Sequence, residues 1–169
     1  MRGVPTIPDP GFAGDDGAAA AEATAALAAY AVDPDRRHPA TLAVLQHSRL
    51  LVPVTAVAGE VEHDEQGLAH DKTSEMATVL MRGRDGRMAL LAFTGNEPMR
   101  RWNPESRPVP VSVPDAARAA VHDGADALLV DVAGPVMFVV QGADLQALAD
   151  GFVLAELAGR HGWVRPGAT

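Results

Sequence analysis

Met76 to Thr94 reads MATVLMRGRDGRMALLAFT, two apolar runs on either side of Arg84-Asp85-Gly86-Arg87. Asp-Gly between apolar runs is the strongest short-range hairpin signal, because a two-residue turn needs positive φ at both central positions. The stretch predicts an antiparallel hairpin of Met76–Met81 and Met88–Thr94, with Gly83 opposite Met88 and Leu80 opposite Leu91. In that register Arg84 faces Arg87 and Arg82 shares their side.

A short helix holding Met99 and Trp102 follows, from Gly95 or Asn96 to a stop at Asn103-Pro104. The same arrangement returns downstream. Ala127–Val132 and Val136–Gln141 flank Gly134-Pro135, and after Gly142 a helix from Ala143 carries Leu145, Leu148, Ala149 and Phe152 at helical spacing. Gly151 either ends that helix or sits inside it. The two hairpin–helix units share little sequence, and coincidence accounts for the likeness, since the unit is common. Between them lie an edge-like strand at Val109–Val113, containing Pro110, and a helix over Pro114–Asp123 with Gly124 as its left-handed cap. Upstream, Leu50–Val57 reads as a strand covered on both faces, with Pro53 marking an edge or bulge. Ala18–Ala31 is alanine-rich and helix-prone. Asp33-Pro34 stops it, and Pro39 opens a second helix.

This order mixes hairpins with crossovers, so the expected fold is α/β of the α+β kind. It is a mixed sheet of about six strands, built from the two hairpin–helix units, with helices packed against it. Residues 1–17, rich in Pro and Gly, form a flexible arm; 18–158 form one domain; 159–169 form a loose tail.

A chain of 169 residues with 47% hydrophobic content can build a core without staples. Cysteine is absent, which removes disulfides, thiolate metal sites and cysteine nucleophiles together. Residues 1–17 lack the apolar run of a signal peptide. The longest apolar stretch, Ala127–Val140, is broken by Asp131 and Gly134-Pro135, too short for a bilayer. A soluble, cytoplasmic protein with no membrane association is expected. The net charge of −8 argues against nucleic-acid binding. That charge is uneven: Glu60–Glu75 holds six acids against Lys72, whereas Arg82–Arg107 holds six arginines against three acids.

Motifs for known chemistry are missing. Lys72-Thr73 lacks the glycines of a phosphate loop, and His63-Asp64-Glu65 cannot be a deaminase site without cysteine ligands. His63, Glu65, His70 and Asp71 form the best metal-ligand set, but they sit in a polar loop and read first as solvated. No catalytic residues, cofactor or tightly bound metal are therefore expected. Asp131 interrupts an apolar strand. By alternation it shares a face with Leu129 and Ala133 and is expected on the solvated side, the alternative being a buried acid of raised pKa. Trp102 reads as core and Trp163 as part of the loose tail, rather than as stacking platforms. Arginines directly opposite each other destabilise a hairpin. Arg82, Arg84 and Arg87, with Arg100 and Arg101, are therefore the candidate partner surface, balanced by an anionic partner, by the Glu60–Glu75 loop or by solvent.

Several stretches resemble the SseB family of bacterial proteins in its actinobacterial form. They are Pro8–Gly17 (PDPGFAGDDG), Leu50–Val54 (LLVPV), Asp71–Ala77 (DKTSEMA), Leu90–Gly95 (LLAFTG) and Asp131–Pro135 (DVAGP). The resemblance spans about residues 8–150. It implies a small cytoplasmic α/β domain and carries no established activity, catalytic residue or cofactor. The expected role is a non-catalytic protein-binding or scaffold domain with an acidic protein partner, homodimerisation through a sheet edge being an option. The rival is a small-ligand binder or enzyme with a pocket near Asp131, Trp102 and the Asp71–Glu75 segment.

Overall fold

The computed structural model of the chain describes residues 11–56 and 76–167. Helices α1 (Ala21–Val32) and α2 (Pro34–Leu45) precede strand β1 (Arg49–Ala56). Strands β2 (Met76–Thr78), β3 (Leu80–Arg82) and β4 (Met88–Ala92) lead into α3 (Asn96–Trp102). Then come β5 (Arg107–Ser112), α4 (Val113–His122), β6 (Ala127–Val130), β7 (Phe138–Gln141), α5 (Gly142–Ala149), β8 (Val153–Leu157) and β9 (Arg160–Val164). The fold is α+β with mixed sheets and both hairpin–helix units. Strands β2-β1-β5 form one sheet, β3-β4-β6-β7 a second, and β8-β9 a ribbon. β4 and β6 are parallel. Leu51 and Phe93 join the first two sheets: each donates its N–H to the other's carbonyl, at 2.7 and 2.8 Å.

Both faces of β4 are covered, which is why it reads as an unbroken apolar run. Leu90 and Ala92 face the main core, where Leu128, Val130, Val140 and Leu148 meet the alanines of α4. Leu91 and Phe93 face the other way, onto Leu51, Met99 and Trp102. Each buried Leu or Phe contributes about 1.5–3 kcal/mol, so this smaller cluster is enough to seat the short α3. Both Pro108 and Pro110 of β5 sit opposite residues of β1, Pro53 and Leu51. The Leu51 N–H is turned toward Phe93. Paired positions of this set therefore point their nitrogens away from the β1–β5 ladder, where proline loses no hydrogen bond.

Four sequence expectations are corrected. The first hairpin pairs Leu80 with Leu90 and Arg82 with Met88, one residue from the expected register. Its loop has three residues: the Gly86 N–H donates to the Gly83 carbonyl and the Gly83 N–H to the Arg87 carbonyl. Only Gly86 has positive φ, at 82°. Asp85 keeps an ordinary φ because its carboxylate accepts from the Arg87 N–H at 3.1 Å, which favours a type I turn followed by a left-handed glycine. Arg84 thus lies in the loop and does not face Arg87. The run before the turn is also not one strand: it changes partner at Val79, β2 pairing with β1 and β3 with β4.

Helix α2 starts at Pro34, not Pro39, because the first helical position needs no N–H donor. The expected loose tail is instead β9, paired to β8 from Val153↔Val164 to Leu157↔Arg160. Two contacts far off in sequence hold the ribbon. Buried Gln46 mimics a strand edge, accepting from the Leu154 N–H at 2.8 Å and donating to the Leu154 carbonyl at 2.7 Å. Trp163 Nε1 donates to Asp144 at 3.1 Å. Gly151 ends α5: its N–H meets the Leu148 carbonyl and the Phe152 N–H the Ala147 carbonyl, a Schellman motif.

Two outcomes follow from these geometries. A Cβ at Gly86 meets nothing within 4 Å, so Gly86→Val is opposed by backbone strain alone. It should cost about 1–2 kcal/mol, seen as a fall of roughly 2–8 °C in Tm. Gln46→Leu keeps the bulk but strands the buried N–H and C=O of Leu154, at about 1–3 kcal/mol each. Its urea midpoint should fall by the equivalent of about 2–6 kcal/mol, and an unchanged midpoint would refute the strand-mimic role.

Candidate functional site

Parallel strands finish at one end of a sheet, and ligands of open α/β sheets bind outside those carboxyl ends. β4 and β6 end together, at Ala92 and Val130. The chain leaves β4 through Phe93-Thr94-Gly95 into α3, and leaves β6 through Asp131. The Asp131 N–H still donates to the Ala92 carbonyl at 3.0 Å. Its backbone then turns left-handed, with φ 53°.

That turn overturns the expected solvent exposure of Asp131. Alternation stops applying where β6 stops, and the side chain swings inward, leaving the residue 1% exposed. One carboxylate oxygen accepts from the Thr94 N–H at 2.8 Å and the other from the Thr94 hydroxyl at 2.7 Å. Burial pushes the Asp131 pKa above the usual carboxylate range, against the opposing pull of the two Thr94 bonds.

A second layer lies over this junction. The expected flexible arm is, over residues 11–17, built into the fold; residues 1–10 lie outside the described residues. Gly17 is buried with φ 77°, and its carbonyl accepts from the Asn96 N–H at 2.7 Å. A Cβ on Gly95 would stand 2.7 Å from the Ala19 nitrogen, so glycine there lets the two backbones touch. Arg49 clamps the assembly. Its guanidinium donates to the carbonyls of Thr94 (2.8 Å) and Ala18 (2.7 Å) and pairs with Asp15 at 2.5 Å. That Arg49 hydrogen bond holds the Asp15 carboxyl below its ordinary pKa. Sequence reasoning missed Arg49, although an arginine opening a buried strand was its one signal.

Between these walls lies a cleft of about 560 Å³. Leu27 and Ala28 of α1, Pro98 of α3 and the Pro135-Val136 loop give it apolar sides; Thr94 and Asp131 line it from below. Arg100 and Arg101 reach it from α3, Arg101 paired with Glu97 at 2.8 Å.

The candidate arginine surface is therefore divided. Arg82, Arg84 and Arg87 are exposed at the hairpin tip, where Arg87 donates to Gln141 at 2.8 Å. Arg100 and Arg101 lie past the other end of β4, roughly 17 Å away at about 3.4 Å per residue. Trp102 packs on Phe93, ring centroids 5.7 Å apart, and does not line the cleft. His63, Glu65, His70, Asp71 and the Asp71–Glu75 segment lie outside the described residues. Among the described residues no three potential metal ligands converge.

The family model described as SseB protein N-terminal domain matches residues 24–147. The chain belongs to the SseB family. No curated protein and no solved structure matches it. The part matched to the SseB domain contains Arg49, Thr94, Arg100 and Asp131, while Asp15 and Gly17 precede it and the β8–β9 ribbon follows it.

The raised Asp131 pKa has a measurable consequence. The folded chain binds this proton more tightly than the unfolded chain, so the contribution of Asp131 to stability declines as pH rises from the unfolded carboxyl's value of about 4. Asn keeps the shape, accepts from the Thr94 N–H with its amide oxygen and can donate its amide N–H to the Thr94 hydroxyl, but cannot ionise. The stability of Asp131→Asn relative to the parent should therefore increase between about pH 4 and pH 7 in denaturant unfolding. The oppositely signed Asp15 effect is common to both proteins and cancels. A difference independent of pH would contradict the buried carboxylate.

Proposed function

We propose that this SseB-family chain is a non-catalytic, cytoplasmic binding domain whose recognition site is the cleft over Asp131, and that its ligand is a small molecule. The cleft itself carries the reading. Its volume lies in the range of small-ligand sites, and its walls are mostly apolar with a few polar groups converging at one point. Those groups are tied to each other and to main chain, so the floor is preformed and a ligand does not have to organise it. The arginine tip supports a second reading, contact with an acidic protein partner. Arg82 and Arg84 are exposed there in a chain of net charge −8.

The two readings separate by mutation. Ala28 is an exposed helical residue on the cleft wall, so Ala28→Trp should fill the cleft without disturbing the core. Fractions of a small-molecule extract should raise the Tm of the parent and of Arg84→Glu alike, and leave Ala28→Trp unmoved. A ligand at about one hundred times its Kd adds about 2.7 kcal/mol, or roughly 5–11 °C. Retained response in Ala28→Trp would reject the cleft, as would the absence of any stabilising fraction.

A further inference from the structure

We infer that the cleft selects a ligand bearing a protonated primary amine, seated with its ammonium group on Asp131; this rests on the cleft reading above. Asp131 is 1% exposed, yet it is among the residues that line the cleft. A carboxylate offers about four lone-pair sites, and Thr94 fills two of them. No cationic side chain of the described residues pairs with it: Arg49 is spent on Asp15, Ala18 and Thr94, and Arg101 on Glu97. A buried carboxylate without a counter-charge is costly. A ligand that brings a positive charge to this point supplies the missing partner, in a site already shielded from water.

The chemistry of the floor narrows the cation. A metal ion needs several converging ligands, and the described residues provide no group of three. A guanidinium is a wide planar fork that needs two free acceptors side by side, and here both oxygens of Asp131 are already bonded to Thr94. An ammonium is compact and needs only acceptors. The open lone pairs of Asp131 and of the Thr94 hydroxyl, whose own proton is donated to Asp131, are acceptors of that kind. Leu27, Pro98 and Val136 then enclose a short aliphatic body. The rim is mixed in sign: Arg100 and Arg101 border it together with the exposed acids Asp16 and Glu97, so the buried charge at the floor is that of Asp131 alone among the lining residues. The amine can come from a free small molecule or from the end of a peptide chain; both present the same group.

The test titrates the intact isotope-labelled protein with n-butylamine and with n-butanol at pH 7 and matched ionic strength. The amides of Thr94, Asp131 and Val136 are the readout. Butylamine should shift them saturably in the millimolar range and bind at least about tenfold more tightly than butanol. Asp131→Asn should remove that preference. The comparison of amine with alcohol in the parent protein needs no variant, so it stands even if the substitution unfolds the chain. Equal binding of the two probes overturns the amine while keeping the cleft as a site. An amine preference that survives in Asp131→Asn overturns the assignment to Asp131. No shift at these amides with either probe overturns both the amine and the cleft. A short tripeptide with a free N-terminus, compared with its acetylated form, then separates the sources. Binding by the free form alone favours a chain end, and binding by butylamine alone favours a free amine.

Discussion

Asp131 ties the ends of two parallel strands together from inside the protein. Its carboxylate holds both the main chain and the hydroxyl of Thr94, and its own N–H holds the last residue of β4. Everything at this end of the molecule is placed relative to that contact. Thr94 fixes Gly95 and the start of α3. The Thr94 carbonyl receives Arg49, and Arg49 carries Asp15 and Ala18 with it. The wall of the cleft is thus assembled from three chain segments, with glycine at 95 because a Cβ there would press on the Ala18-Ala19 backbone, and at 17 because a Cβ there would meet the Asn96 side chain.

Charge is used in two opposite ways within this small region. Asp15 is partly accessible and sits against a guanidinium, so it favours its ionised form. Asp131 is buried and, among the described residues, meets only neutral donors, so burial favours its proton. The first arrangement strengthens the clasp over the cleft as pH rises; the second makes the floor less comfortable over the same range. A floor that disfavours its own charge and a rim that carries both arginines and acids together give the cleft a polarity that an all-apolar pocket would lack.

The hairpin shows how a single residue of register alters a functional argument. Had the loop been two residues long, Arg84 and Arg87 would stand opposite each other and demand a counter-charge. The type I turn with its left-handed Gly86 places Arg84 in the loop, and Arg87 finds Gln141 on the neighbouring unit. The electrostatic pressure that singled out the tip is thereby relieved within the chain, and the remaining arginines of the candidate surface belong to the cleft at the far end of β4.

The sequence by itself determined the features that depend on near neighbours. The hairpin around Asp85-Gly86, the short helix after Gly95 and the glycine cap at Gly124 all follow from turn chemistry or helical spacing within a few residues, whereas the end of α5 at Gly151 was decided only by the structure. The SseB family was legible in the same way, as short runs of residues. Tertiary structure decided what lies between distant segments. The division of the strand at Val79 depended on which sheet edge each half could reach, whereas the one-residue register shift came from a local contact, the Asp85 side chain meeting the Arg87 N–H. The β8–β9 ribbon depended on a glutamine more than a hundred residues away. The floor of the cleft joins residues 37 apart and its clamp joins residues 34 and 45 apart. Alternation along β6 pointed Asp131 toward solvent because periodicity assumes that a strand continues, and here the backbone leaves the strand at that residue.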